Sequence, residues 1–194
     1  MPAAFLETER LVLRRFTEAD VDDLADLNSD PAVLRFLTGG RPVPRAEVRG
    51  GLLPRILADY ERVAGRGTWV AEERSTGGFL GWVELRAPER GTAAEAELGY
   101  RLRASAWGRG YATEAARALV DKAFTETQLH RVWAETMAVN KASRRVLEKV
   151  GLRFVRTFWV DWTDPIDGAE HGEVEYEMVR DDWLRTDGNG GHGA

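Results

Sequence analysis

Trp107-Gly108-Arg109-Gly110-Tyr111-Ala112-Thr113-Glu114 links a strand-like segment to a strongly amphipathic helix, and the reading of the fold turns on that junction. Glycines let the backbone turn tightly and approach a ligand, while the first turn of a helix leaves amide N–H groups unpaired at the positive end of its dipole. Phosphate oxygens suit both features. Downstream, Ala112, Ala115, Ala116, Leu119, Val120 and Ala123 fall on one helical face and Glu114, Arg117, Asp121 and Lys122 on the other. No Walker-type Lys-Ser/Thr ending follows, and the three-glycine spacing of a dinucleotide fingerprint is missing, so ATP and NAD fit poorly. Taken alone, the glycines serve equally as a plain chain reversal, and Arg109 as a solvated loop arginine.

Working backwards from the junction, Ala94 to Arg103, Phe79 to Arg86 and Thr68 to Glu73 read as strands of an antiparallel meander, with turn residues Ser75 to Gly78 and a polar loop between them. Arg45 to about Val63 has helical spacing, interrupted at Gly50-Gly51 and Pro54. Asp30 as cap and Pro31 at the first helical position start a short helix carrying Val33, Leu34 and Leu37 inward. Thr17-x-x-Asp20 starts a helix running to about Leu27, and Arg10 to Phe16 is a strand. Forwards, helix Tyr111 to about Thr127 leads to strand Arg131 to Met137, helix Lys141 to Val150, strand Leu152 to Trp162 and a last strand Glu173 to Arg180 that pairs with the one before. A helical crossover makes the strands at Ala94 and Arg131 parallel. The fold class is therefore α/β (α+β): one domain over residues 1–185, a mixed, mostly antiparallel sheet of about seven strands with helices on both faces, and a glycine-rich disordered tail over 186–194.

The 194 residues suffice for one such domain, and 43% hydrophobic with 30% charged residues is a globular composition. No apolar run is long enough to span a membrane, and charges interrupt Met1 to Phe16, so neither a membrane nor a signal peptide is expected and the cytoplasm is the expected compartment. The chain has no cysteine, which excludes disulfides, thiolate zinc sites and a cysteine nucleophile. A net charge of −5 argues against nucleic acid and accords with a cationic amine as substrate. His130, His171 and His192 are too scattered for a metal site or a nucleophile triad, so no metal is expected.

A second constellation runs from Asn140 to Gly151. Asn140 is a helix N-cap and Gly151 the left-handed residue ending that helix. Ser143 shares the apolar face of Val146, Leu147 and Val150, which aims a hydroxyl inward or provides a small residue for close packing.

Glu97-Leu98-Gly99-Tyr100-Arg101-Leu102, the stretch Trp107 to Ala115, Asn140-x-x-Ser143 and Leu147-Glu148-Lys149-Val150-Gly151-Leu152 together resemble the GNAT superfamily of acyl-CoA N-acyltransferases. Leu6 to Arg14 adds similarity to its Rim-type branch of ribosomal-protein N-terminal acetyltransferases. The superfamily pattern Q/R-x-x-G-x-G/A maps onto Trp107, Gly110 and Ala112, with tryptophan at the first position as is usual in that branch. The resemblance implies acetyl-CoA as cosubstrate. Its pyrophosphate would lie on the amides of Gly108, Arg109, Gly110, Tyr111, Ala112 and Thr113. Its pantetheine would run beside Tyr100, Arg101 and Leu102, where two parallel strands splay, with Asn140 and Ser143 near the thiol.

Acetyl transfer needs a neutral amine, oxyanion donors and an acceptable leaving group. A thiol near pKa 8.5 leaves with modest help, which a hydroxyl such as Ser143 would supply. An α-amine near 8 is neutral about one time in ten at pH 7, a lysine-like amine only about once in 2,500, so an α-amine needs the weaker base. Glu97, matching the acid of the family's E-I/L-G-Y segment, is the expected base, with Glu135 and Asp161 as fallbacks. Its ordinary alternative is a solvated or ion-paired strand residue, facing Arg101. Trp159 and Trp162 are read as packing residues before cleft linings. Without cysteine, transfer would be direct, in a ternary complex. The expected acceptor is a protein N-terminal α-amine. A small amine such as an aminoglycoside, polyamine or amino acid is the alternative, because loops Thr38 to Pro44 and Thr163 to Gly172 carry no readable code. A catalytically inactive CoA-binding module is the rival from another class, a nucleotide-phosphate protein the weaker third; a homodimer and longer acyl chains stay open.

Overall fold

The computed structural model describes residues 3–62, 65–88 and 92–187. Eight strands form one sheet in the order β1-β2-β3-β4-β5-β6-β8-β7. These are β1 (Ala4–Glu7), β2 (Leu11–Arg15), β3 (Gly67–Glu73), β4 (Gly78–Arg86), β5 (Glu95–Leu102), β6 (Arg131–Met137), β7 (Arg153–Phe158) and β8 (Glu173–Val179). Every neighbouring pair is antiparallel except β5 and β6. The crossover that makes this pair parallel is α5 (Tyr111–Glu126), which buries Ala115, Ala116, Leu119, Val120, Ala123 and Phe124. Each large apolar side chain among them contributes roughly 1.5–3 kcal/mol by leaving water.

With α6 (Lys141–Val150), α5 covers one face of the sheet and makes the main core with Leu11, Leu13, Val83, Leu85, Leu98, Val132 and Tyr176. On the opposite face α1 (Val21–Leu27), α2 (Pro31–Thr38), α3 (Arg45–Glu47) and α4 (Leu53–Asp59) lie on the N-terminal half only, packing Val21, Leu24, Val48 and Ile56 against Val70. The C-terminal half of that face, over β5, β6 and β8, carries charged side chains.

The local signals act as the sequence suggests. Asp20 accepts from the Thr17 amide at 2.7 Å, Asp30 caps α2 by accepting from the Ala32 amide at 2.9 Å, and Gly151 ends α6 at φ 110°. Between Arg45 and Asp59 the glycine pair produces a π-helical stretch, Val48–Leu52, that accommodates one extra residue per turn. Val63, the expected end of this helix, lies outside the described residues.

Four expectations are corrected. β1 raises the strand count to eight; its short stretch pairs with β2 and stacks Phe5 on Trp69 at 4.2 Å, a long-range contact without a local signature. Leu37 is 44% exposed, because helical geometry breaks at Phe36 and rotates the last turn outward. The strand expected to reach Trp162 ends at Phe158, where its partner β8 begins. Finally, α7 (Arg180–Asp187) continues from β8 and takes in Thr186 and Asp187; the tail from 188 onward lies outside the described residues.

Candidate functional site

Parallel pairing between β5 and β6 holds for Glu95 with Arg131, Ala96 with Val132 and Glu97 with Trp133, then stops. Beyond that point β5 runs on through Leu98 to Leu102 without β6 beside it, so a wedge opens between adjacent strands. At its wide end sits the glycine junction. Gly108 and Gly110 are left-handed (φ 73° and 84°), and the amides of Gly108, Arg109 and Gly110 donate to no group among the described residues. The first-turn amides of α5 add to them. The junction is fixed from outside, with its amides left available. The Trp107 indole N–H donates to the Leu102 carbonyl at 2.9 Å, and Arg10 donates to the Arg109 carbonyl at 2.9 Å. Arg10 also pairs with Glu114 at 2.6 Å. Burial pushes the Glu114 carboxyl up, yet hydrogen bonds from Thr8 and Arg10 outweigh it and leave the group below the usual carboxylate range. Tyr111 is buried, its ring lying beneath the Arg10 and Arg109 guanidinium groups, its hydroxyl donating to Glu73. Beside Gly110 and Thr113 a groove of about 440 Å³ is flanked by the cations Arg10, Arg117 and Lys149 and by the carboxylates Glu9, Glu114 and Asp121.

Across the wedge, Tyr100 on β5 reaches α6. Its hydroxyl donates to the Ser143 carbonyl at 3.0 Å and shares a 2.9 Å hydrogen bond with the Ser143 hydroxyl. Burial pushes the Tyr100 phenol up, so it stays protonated. Asn140 caps α6 by accepting from the Ser143 amide at 3.2 Å and donates to Thr136 at 3.2 Å. Asn140 and Ser143 are thus brought to the wedge together with Tyr100, and Ala112 and Thr113 to its mouth. Leu102 is buried in the main core and contributes backbone only. Arg101 points to the opposite face, where its guanidinium lies over Trp82 and donates to Asn28.

Glu97 and Glu135 lie on that opposite face. Glu97 is at the apex of the wedge, and both of its oxygens accept from Arg86, at 2.6 and 2.9 Å; its partner is Arg86 on β4 and not Arg101. Glu135 lies two residues past the apex with part of its surface in solvent; the partial burial of its carboxyl, and then the charges of Glu97 and Glu175, push it up. Asp161 is exposed beyond the end of β7. Gly99 has no side chain because Glu84 occupies the space a Cβ would need, at 2.6 Å. Glu84 itself is raised by burial and accepts from Thr68. Sequence reasoning did not select Glu173, a buried carboxyl at the start of β8; its pattern is that of any alternating strand, and no signal in the chain marks it.

The two loops opposite the wedge meet. Arg41 pairs with Asp164, and a Cβ on Gly39 would stand 3.0 Å from Ile166, which is buried. Gly168 lies tight against Val139 and Met137. Trp159 is 68% exposed and so is not packed in the core, while Trp162 is half-buried. Among the described residues no His, Asp and Glu cluster could hold a metal ion, and no helix is long and apolar enough to cross a membrane.

A splayed parallel pair, amides without a partner among the described residues at its mouth and a capped helix across the gap thus lie together at one end of the sheet. Residues 10–153 match the family description "Acetyltransferase (GNAT) domain", and the chain belongs to this family of acetyl-CoA-dependent acyltransferases. It is 36% identical to the FsC-acetyl coenzyme A-N(2)-transacetylase of Aspergillus fumigatus over 186 residues, 93% of this chain and 78% of the relative. Its fold matches a RimL ribosomal L7/L12 alpha-N-protein acetyltransferase in complex with coenzyme A (TM-score 0.78, 18% identity, 93% of this chain and 99% of that one). It also matches the spermidine N-acetyltransferase of Vibrio cholerae in complex with coenzyme A and spermine (TM-score 0.73, 17% identity, 91% and 99%).

Proposed function

We propose that this protein moves an acetyl group from acetyl-CoA directly to a primary amine within a ternary complex, and that the acceptor is a small cationic molecule. The observation that carries the transfer reading is the wedge between β5 and β6, open beyond Glu97 and Trp133 and fronted by the unpaired amides of Gly108 to Gly110. Those amides, with Tyr111, Ala112 and Thr113, hold the pyrophosphate; Tyr100 and the backbone of Arg101 and Leu102 line the arm; Asn140 and Ser143 stand by the thiol. Tyr100 donates to the Ser143 carbonyl, which leaves the Ser143 hydroxyl able to donate to the departing sulfur once their shared hydrogen bond opens.

Glu97 is the proposed base, through water, after its pair with Arg86 swings aside; Glu135, one step along the same face, is the fallback. The attacking nitrogen loses a proton to the base as the C–N bond forms, and the C–S bond breaks to give the thiolate. The acidic face and the relative named for an N(2) transacetylation support a small-molecule acceptor. The RimL likeness supports a second reading, a protein N-terminal α-amine of the Rim type. A panel of N-terminal peptides and small amines, read by thiol release and product mass, tests both. Acetyl-CoA binding without thiol release from any acceptor would instead identify an inactive CoA-binding module.

A further inference from the structure

One carboxyl on the face proposed for the acceptor belongs to a largely buried side chain with no protein partner among the described residues, its oxygens keeping a narrow contact with solvent. Glu173 is 9% exposed, yet it accepts no hydrogen bond and joins no ion pair among the described residues. It stands across from Met137 on β6 and Phe158 on β7, on the same sheet face as Glu97 and Glu135, under the turn that seats Gly168 against Met137. The cations of this face are committed elsewhere. Arg156 from β7 bonds Glu175 at 2.7 Å; Arg131 from β6 bonds Glu95, Glu175 and Glu177; Arg86 holds Glu97. The covering loop turns Asp164 to Arg41 and His171 to Glu170. Glu135 and Glu173 have neither a counter-charge nor a hydrogen-bond donor in reach among the described residues, whereas Glu84, also without a counter-charge, accepts from Thr68; burial, with the Glu135 charge second, pushes the Glu173 carboxyl up to about 7. An unpaired buried carboxyl costs stability, and a donor from a ligand removes that cost.

We propose that Glu173, flanked by Glu135, is a subsite for a second cationic group of the acceptor, so that the preferred substrate is a small molecule with two amines, one acetylated at the wedge and the other held here as an ammonium. This rests on the acetyltransferase reading and narrows its acceptor class. Binding is non-covalent. The ammonium donates to the carboxylate, and any proton on Glu173 goes to solvent, so preference for a diamine grows as pH rises through neutrality.

The test is a matched pair, 1-aminopentane and 1,5-diaminopentane, compared by kcat/KM through thiol release at pH 6 and pH 8. The wild type is expected to prefer the diamine by about tenfold or more at pH 8, the size of a charge-assisted hydrogen bond, and by less at pH 6. Glu173→Gln should bring the ratio near one at both pH values, while Glu173→Asp should keep part of the preference. Protection of each variant against heat by coenzyme A certifies its fold. A ratio near one in the wild type, a ratio surviving in Glu173→Gln, or no turnover of the diamine overturns the subsite. In the first two cases thiol release shows that acetyl transfer itself stands. Loss of both thiol release with every amine or peptide and protection by coenzyme A overturns the acetyltransferase reading as well.

Discussion

Gly110 combines a left-handed backbone with a Cβ position 3.3 Å from the Arg10 guanidinium. A side chain there strains the turn and crowds the arginine that braces it. Gly110→Val should therefore raise the acetyl-CoA KM by about tenfold or more, since backbone amides aimed at an anion are displaced together. Acetyl-CoA titration of initial rates checks this, and an unchanged KM would remove the phosphate cradle from the junction. For Glu97, Glu97→Gln should depress the rate mainly at low pH, where the amine needs a base, and less at high pH, where it deprotonates unaided. A uniform loss across pH would point to Glu135. Glu173 supplies a stability counterpart. Its pKa in the folded protein lies above the ordinary carboxylate value, so the native state retains a proton that the unfolded chain gives up, and its contribution to stability falls as pH rises from about 4.5 to about 7. Glu173→Gln should raise Tm at pH 8, with the gain from removing the charge absent at pH 4.

Among the elements, those with a complete local signature were legible in the chain: the Thr17 and Asp20 box, Asp30-Pro31, and α6 between Asn140 and Gly151. The amphipathic α5 belongs with them, since its buried face is written in consecutive turns. What was not legible depends on partners far away. β1 exists because Phe5 finds Trp69, and Leu37 faces outward because of a kink at Phe36. Glu97 shows the same limit at the site: its spacing put it on the side of the strand that carries Arg101, but its bond to Arg86 follows from strand register. The loops at Thr38 to Pro44 and Thr163 to Gly172 also had no readable code, yet they meet through Arg41 and Asp164 and through Gly39 and Ile166. Both charges are largely exposed, so the pair itself adds little to stability. Its effect should appear in acceptor handling. Arg41→Ala is expected to raise the acceptor KM a few-fold, leave the acetyl-CoA KM within about twofold, and reduce the salt dependence of the former. Equal shifts in both constants would mean that the loops do not border the acceptor.

At the scale of the whole molecule, the placing of β8 between β6 and β7 does most to shape the face proposed for the acceptor. It puts Glu173 and Glu175 next to β6, and a simple hairpin order would have put β7 there. No pattern in the chain encodes that insertion, which explains why the glycine junction and its two flanking elements were readable and the acidic end of this face was not. The wedge has one more consequence. Past Glu97 and Trp133, the backbone of β5 faces a gap where an ordinary sheet would have a hydrogen-bonded neighbour, so the fold carries an edge in its middle as well as at its rims. Edges of that kind recruit stray strands. Protein stripped of coenzyme should accordingly self-associate faster on warming than the same protein saturated with it, and light scattering at equal concentration would show whether occupying the gap keeps the chain monodisperse.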